Sequence, residues 1–315
     1  NYDPVRQTQR ALDPYNQVDF IGCSQHWVQS TEHFKRFMMS QTKTIPRIVA
    51  LVPAAGVGAR AQSQVPTATS HACMPKQYRL LAGVPMLRHS VQALLNDSRI
   101  EQVRVVVALG DLLAEQCLAG LPRTVCSPCG GATRAQTVLN GLHDAQLGAD
   151  DWLLVHDAAR PGLPAEALTR LIDSCLAHPV GGLLAMPVAD TVKRSHPLPQ
   201  KTVQQTLARD TLWLAQTPQM FRVGLLEKAL SSAIACNLSI TDESSALEAA
   251  GHAPLLVQGS GFNAKVTWPE DFDWVQSWLP YREYGPGLWT DRQRSAVKAH
   301  NHGQLTENCD VDPVP

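Results

Sequence analysis

No run of 18 consecutive apolar residues occurs anywhere in the 315-residue chain, so the sequence offers nothing to span a bilayer. Excess charge of either sign is missing too. The 27 Lys and Arg nearly balance 28 Asp and Glu, for a net charge of -1, which argues against a general nucleic-acid or membrane-surface binder. The first residues lack the basic-then-apolar layout of a secretory signal, so no secretory leader is expected. Of the 8 cysteines only Cys126 and Cys129 form a C-x-x-C, and no second pair completes a zinc site. Reduced thiols in a cytoplasmic protein are the expectation.

Acidic residues are absent from His33 to Asn96, while the same stretch holds Lys35, Arg36, Lys43, Arg47, Arg60, Lys76, Arg79 and Arg88. Such a region suits an anionic ligand. Two phosphate-binding signatures are also incomplete. Gly56-Val57-Gly58-Ala59-Arg60-Ala61 fits G-x-G-x-x-G/A, but the acid that should hold a ribose about 20 residues later is replaced by Lys76. The Walker pattern G-x-x-x-x-G-K-[ST] does not occur.

What is present alternates. Ile48–Val52 and Val103–Leu109 read as buried strands, as do Trp152–Val155 and Gly182–Val188. Leu80–Leu95, Ala132–Asp144 and Leu163–Ala177 have helical spacing. This order predicts an α/β fold: a doubly wound, mostly parallel, Rossmann-like sheet covered on both faces. Ligands bind such sheets at the carboxyl ends of the strands, where the glycine turn and "HDAARP" both fall. Residues 188–213 break the rhythm and suggest a protruding strand–loop–strand arm that clasps a second subunit. We expect residues 1–45 to be an N-terminal extension, with 1–37 upstream of a natural start, and 46–280 to be the catalytic domain. Residues 281–315 are expected to be a loose tail.

The glycines of the turn let backbone N–H groups approach a triphosphate, and Arg60 and Lys76 are cations that could neutralise charge on a phosphorus under attack. Seven segments then occur in order: "PAAGVGAR…PKQY", "GGATRAQTVLNGL", "DWLLVHDAARP", "PVADTVKR", "LWLAQTPQMF", "ITDESSALEAAG" and "NAKVTWPED". Together they resemble the 2-C-methyl-D-erythritol 4-phosphate cytidylyltransferase family of the non-mevalonate isoprenoid pathway, over roughly residues 47–277.

The resemblance implies an enzyme, a nucleotidyltransferase. It would join CTP to methylerythritol phosphate and release pyrophosphate, with Mg²⁺, as a homodimer held by the arm. It implies that Ala54, Ala55, Gly56 and Gly58 line the CTP phosphates and base, with Gly131 and Thr137 at the cytosine and ribose. Arg60 and Lys76 would stabilise the pentavalent phosphorus. Asp157 would bind the metal with Arg160 nearby. Thr191, Arg209, Thr217 and Lys265 would hold the methylerythritol phosphate, Arg209 arriving from the partner subunit.

The residue types suit this chemistry independently. A phosphate monoester is already anionic near neutral pH and needs no strong base. The obstacle is repulsion between two anions, so positioning and charge neutralisation should dominate. Several features depart from the family pattern. The link from Arg60 to Lys76, "AQSQVPTATSHACMP", is long and must loop out. Ala132 and Phe262 stand where acids are common, Thr137 stands for serine, and the arm around Arg209 is stretched. Two alternatives are a cytidylyltransferase for another polyol phosphate, such as ribitol 5-phosphate, and a nucleotide-binding regulator without turnover. His156 reads as a hydrogen-bonded structural group. The segment from Thr241 reads as an ordinary capped helix ending at Gly251. Trp268, Trp274 and Trp278 read as packing residues.

Overall fold

The computed structural model describes residues 46–56, 74–199 and 201–284. The expected N-terminal extension, the tail beyond 284, Gly58, Arg60 and most of the long link therefore lie outside the described residues. Strand β1 (Ile48–Pro53) leads to a short 3-10 turn at Lys76–Tyr78, a hairpin of β2 (Leu80–Leu81) and β3 (Val84–Pro85), and helix α1 (Met86–Leu95). Next come β4 (Ile100–Val106), α2 (Leu113–Leu118), β5 (Thr124–Ser127), α3 (Arg134–Ala145), β6 (Trp152–Val155), α4 (Ala165–Leu176) and β7 (Gly181–Pro187). An arm of β8 (Val192–Ser195) and β9 (Val203–Leu207) follows. The chain then runs through β10 (Trp213–Arg222), α5 (Val223–Ala235), α6 (Glu243–Ala249), β11 (Leu255–Gln258) and α7 (Pro269–Tyr284).

Seven strands form one sheet in the order β11-β7-β10-β6-β1-β4-β5. All neighbours are parallel except β10, which runs antiparallel to both β6 and β7. The continuous apolar run of β1 follows from burial on both faces. Ile48, Ala50 and Val52 join one core layer with residues of α1, α2 and α4. Val49 and Leu51, pointing the other way, join a second layer with α3, α5 and α6. Gly141, inside α3, would be unfavourable in an isolated helix. Here a Cβ would fall 2.5 Å from Val106 Cγ2 and 2.6 Å from Leu51 Cδ1, so the glycine lets α3 lie close against β1 and β4. After β1 the chain moves to β4 on one side and later returns to β6 on the other. The carboxyl ends of β1 and β6 therefore flank the switch in strand order where ligands are bound in such sheets.

Several expectations need correction. The helical reading of Leu80–Leu95 holds only from Met86. Ala82 and Gly83 adopt φ of 50° and 79°, a left-handed pair that closes a tight hairpin, and Pro85 caps the helix behind it. The second strand is Ile100–Val106 and not Val103–Leu109; beyond it the chain turns outward and Leu109 is exposed. Helix α7 continues four residues into the stretch expected to be a loose tail. Trp268 and Trp274 are half-exposed, although Trp274 meets the edge of Trp278, which in turn meets Phe262. The arm appears as a separate two-stranded antiparallel unit within 188–213.

Candidate active site

The glycine turn grows directly out of β1. Ala54 N donates to Val106 O at 2.7 Å, keeping the chain beside β4, and Gln77 Nε2 donates to Ala54 O at 2.8 Å. Buried Gln77 thus ties "PKQY" to the turn despite the long link between them. Ala55 packs against Gly130, where a Cβ would also come within 2.8 Å of Val107 O. That close approach requires glycine and joins the turn to the "GG" loop. Gly56 is exposed, and among the described residues nothing lies within 4 Å of where a Cβ would stand. Gly131 N donates to Thr137 Oγ1 at 3.0 Å, and that hydroxyl donates to Thr133 O at 2.9 Å. Buried Thr137 therefore shapes the loop.

At the end of β6 the chain bends, with His156 N donating to Leu51 O and Asp157 N donating to Thr217 Oγ1, each at 2.9 Å. Thr217 lies where β10 slips register against β7, between Ala215 and Gln219. Such irregularities re-aim side chains. Asp157 is buried, and three cations surround it. Arg134 Nη2 donates to Oδ1 at 3.0 Å, Lys265 Nζ donates to Oδ2 at 2.7 Å, and Arg160 Nε lies 3.9 Å away. Burial alone would raise the Asp157 pKa, but Arg134, Lys265 and Arg160 together hold it well below the usual carboxylate range. Arg134 also donates through Nη1 to Glu243 Oε1. Burial works against the Arg134 charge, yet Glu243 and Asp157 hold the guanidinium above its ordinary value.

Arg160 spends two nitrogens on the backbone, donating to Asn263 O at 2.6 Å and Ala215 O at 3.3 Å. Asn263 Nδ2 donates to Thr217 O at 2.6 Å and closes the cluster. Lys76 Nζ donates to Val266 O at 2.7 Å, beside Lys265. Thr191 and Arg209 are exposed on the arm, where Arg209 donates to Ala189 O. The fold thus gathers Ala54, Ala55, Gly56, Lys76, Gly131, Thr137, Asp157, Arg160, Thr217 and Lys265. It leaves Thr191 and Arg209 on the arm.

His156 cannot serve as a base here. Its Nε2 donates to Arg160 O, its Nδ1 accepts from Thr217, and burial pushes its pKa down to about 4. This has a measurable consequence. The folded value lies below the ordinary 6.5, so the unfolded chain takes up the proton first as pH falls. His156 therefore leaves stability intact above about pH 6.5 and costs on the order of 3 kcal/mol by pH 4. Thermal melts in metal-free buffer should show the melting temperature falling across that window, with a flatter profile for His156→Gln.

Sequence reasoning missed Arg134, Glu243 and Asn263. Arg134 carried a signal: it opens α3, where the helix dipole disfavours a cation, so it needed an acidic partner. Glu243 looked like an ordinary first-turn acid.

A switch-point sheet with a glycine turn and a convergence of Lys and Arg around one carboxylate defines a nucleotidyltransferase-like α/β enzyme. A family model described as IspD, 2-C-methyl-D-erythritol 4-phosphate cytidylyltransferase, matches residues 48–280. The chain belongs to that family. It is 62% identical over 232 residues to a protein of that name from Bordetella pertussis, covering 74% of this chain and 98% of that protein. The relative from Laribacter hongkongensis is 50% identical over 228 residues, covering 71% and 93%. Among solved structures, 4-diphosphocytidyl-2C-methyl-D-erythritol synthase is 36% identical with a TM-score of 0.63, covering 75% of this chain and 99% of that one. The Francisella tularensis 2-C-methyl-D-erythritol 4-phosphate cytidylyltransferase is 32% identical with a TM-score of 0.60, covering 73% and 99%.

Proposed function

We propose that this enzyme transfers the cytidylyl group of CTP to the phosphate of 2-C-methyl-D-erythritol 4-phosphate. The products are 4-diphosphocytidyl-2-C-methyl-D-erythritol and pyrophosphate. A phosphate oxygen of the acceptor attacks the α-phosphorus of CTP, a new P–O bond forms, and the bond to the β-phosphate oxygen breaks. The observation that carries this reading is the ring of cations about Asp157 beside the turn after β1, in a chain so similar to cytidylyltransferases.

No proton need be removed from the acceptor, which accords with a site whose only histidine near Asp157 among the described residues is locked and neutral. The turn at Ala54, Ala55, Gly56 and Gly58 cradles the triphosphate, with Gly131 and Thr137 at the nucleoside. Arg60 and Lys76 neutralise charge at the reacting phosphorus. Lys265, whose side chain is 42% exposed, turns from Asp157 to a substrate phosphate. Arg160 and Thr217 hold the acceptor side of the site. Thr191 and Arg209 reach the acceptor from the arm, Arg209 across a homodimer.

Asp157 also suits a divalent metal. No cluster of three acidic, histidine or cysteine ligands exists among the described residues. A single carboxylate fits Mg²⁺ held mainly by phosphate oxygens and water. When bound there, Mg²⁺ supplies positive charge to the phosphates. We take residues 46–280 as the catalytic domain. We place the enzyme in the cytoplasm; among the described residues no helix is long and apolar enough to cross a membrane.

The test is a pyrophosphate-release assay with CTP, Mg²⁺ and either methylerythritol phosphate or ribitol 5-phosphate. Turnover should favour the first by at least about 100-fold, because a misfitting polar acceptor leaves buried groups unpaired. Equal turnover of ribitol 5-phosphate would overturn the substrate assignment. CTP binding without any release would point to a regulator.

A further inference from the structure

We propose that Glu243 is a positioning residue for Asp157. By occupying one arm of the Arg134 guanidinium, it stops that arginine from clamping both Asp157 oxygens and so keeps the carboxylate able to take a divalent cation. The inference rests on the reading of Asp157 as the metal carboxylate.

An acid in the first turn of a helix normally sits in water, where the dipole favours it by about 0.3–1 kcal/mol. Glu243 is instead 1% exposed. Its Oε1 accepts from Arg134, and its Oε2 is buried with no hydrogen-bond partner among the described residues. A buried, half-satisfied carboxylate is costly, so helix capping does not account for it. Capping is in any case done by Asp242, which accepts from Ser245 N at 2.9 Å.

The place of Glu243 is fixed from β10. Gln219 donates through Nε2 to Asp242 Oδ2 and accepts from Ser244 N through Oε1, each at 2.8 Å. Glu243 is thus held between its two anchored neighbours. Arginine prefers a two-pronged grip on a carboxylate. With Nη1 on Glu243, only Nη2 reaches Asp157, and it reaches Oδ1 alone. Oδ2 takes its hydrogen bond from Lys265, a half-exposed side chain that can turn away, with Arg160 Nε 3.9 Å off. One oxygen of Asp157 therefore has a fixed hydrogen-bond donor and the other an exchangeable one, with Arg160 adding charge nearby. Without Glu243, Arg134 would swing onto both oxygens and compete with the cation directly.

Mn²⁺ serves as the probe, titrated against the full chain in the presence of CTP and followed by water-proton relaxation. Mg²⁺ dependence of pyrophosphate release is measured in parallel. For Glu243→Gln the Mn²⁺ midpoint should rise about tenfold or more, the range found when groups that orient metal ligands are lost. Most of kcat should return at saturating Mg²⁺. Glu243→Asp keeps the charge but shortens its reach, and should shift the midpoint several-fold in a fold that is retained. A midpoint within twofold of wild type in either folded variant would overturn the proposal, even if the melting temperature fell, because that pattern describes a purely structural residue. Asp157→Asn separates the two readings. If it still binds Mn²⁺ like wild type, the metal assignment itself fails. If it loses Mn²⁺ while the Glu243 variants do not, only the role of Glu243 fails.

Discussion

Asparagine in place of Asp157 is expected to reduce pyrophosphate release by about 10³-fold or more, the scale on which preorganised charge in an active site acts. The side chain keeps its shape and can still accept from Arg134, so the loss comes from the charge. Asp157 is the one carboxylate around which Arg134, Lys265 and Arg160 converge. Without it these cations repel one another, and the carboxylate at their centre is gone. Stability should fall as well. The three cations depress the folded pKa of Asp157, so its ionised form stabilises the fold at every pH above the ordinary carboxylate value. Breaking a buried ion pair costs roughly 3–5 kcal/mol, an upper figure here because Lys265 can turn to solvent and Arg134 keeps Glu243. The activity assay therefore belongs well below the melting temperature of the variant. If Asp157→Asn, folded at the assay temperature, retained more than a tenth of wild-type kcat, the metal and charge-gathering role of Asp157 would be wrong.

Lys76→Ala is the second large effect. Lys76 lies beside buried Gln77, which anchors the turn after β1, and its ammonium reaches Val266 O next to Lys265. It is thus held between the turn and the loop that carries the other lysine. In the proposed role, where Lys76 stabilises charge developing on the phosphorus, its removal should lower kcat by about 10²–10³-fold. KM for methylerythritol phosphate should change little, because the interaction strengthens only as the reaction proceeds. The fold should also lose the hydrogen bond from the Lys76 ammonium to Val266 O, worth about 1.5–3 kcal/mol as one made by a charged group. Steady-state kinetics with each substrate varied separately resolve this split. A rise in KM with kcat preserved would recast Lys76 as a ground-state binding residue.

The parts of this site that could be read from sequence are those encoded within one short segment. The turn after β1, the carboxylate after β6 and the alternation of strand and helix each depend on neighbours a few residues apart. The arm, too, announced itself by a local change of composition. Leu80–Leu95 misled because its apolar spacing suits a helix, although Ala82-Gly83 and Pro85 are turn residues in the middle of it. The cluster around Asp157 is another matter. Arg134 and Glu243 are 109 residues apart, and nothing local to either shows that both are tied to one carboxylate. The antiparallel course of β10 and its slip at Thr217 likewise arise from packing between β6 and β7.

That strand has one further implication. β10 begins at Trp213, where the arm ends, and runs into the middle of the sheet, carrying Thr217 to its hydrogen bond with Asp157 N on its way. In the proposed homodimer, a partner that grips the arm would also steady the floor on which Asp157 rests. Under that proposal, specific activity would decline on dilution, as copies part company, before any loss of secondary structure could be seen.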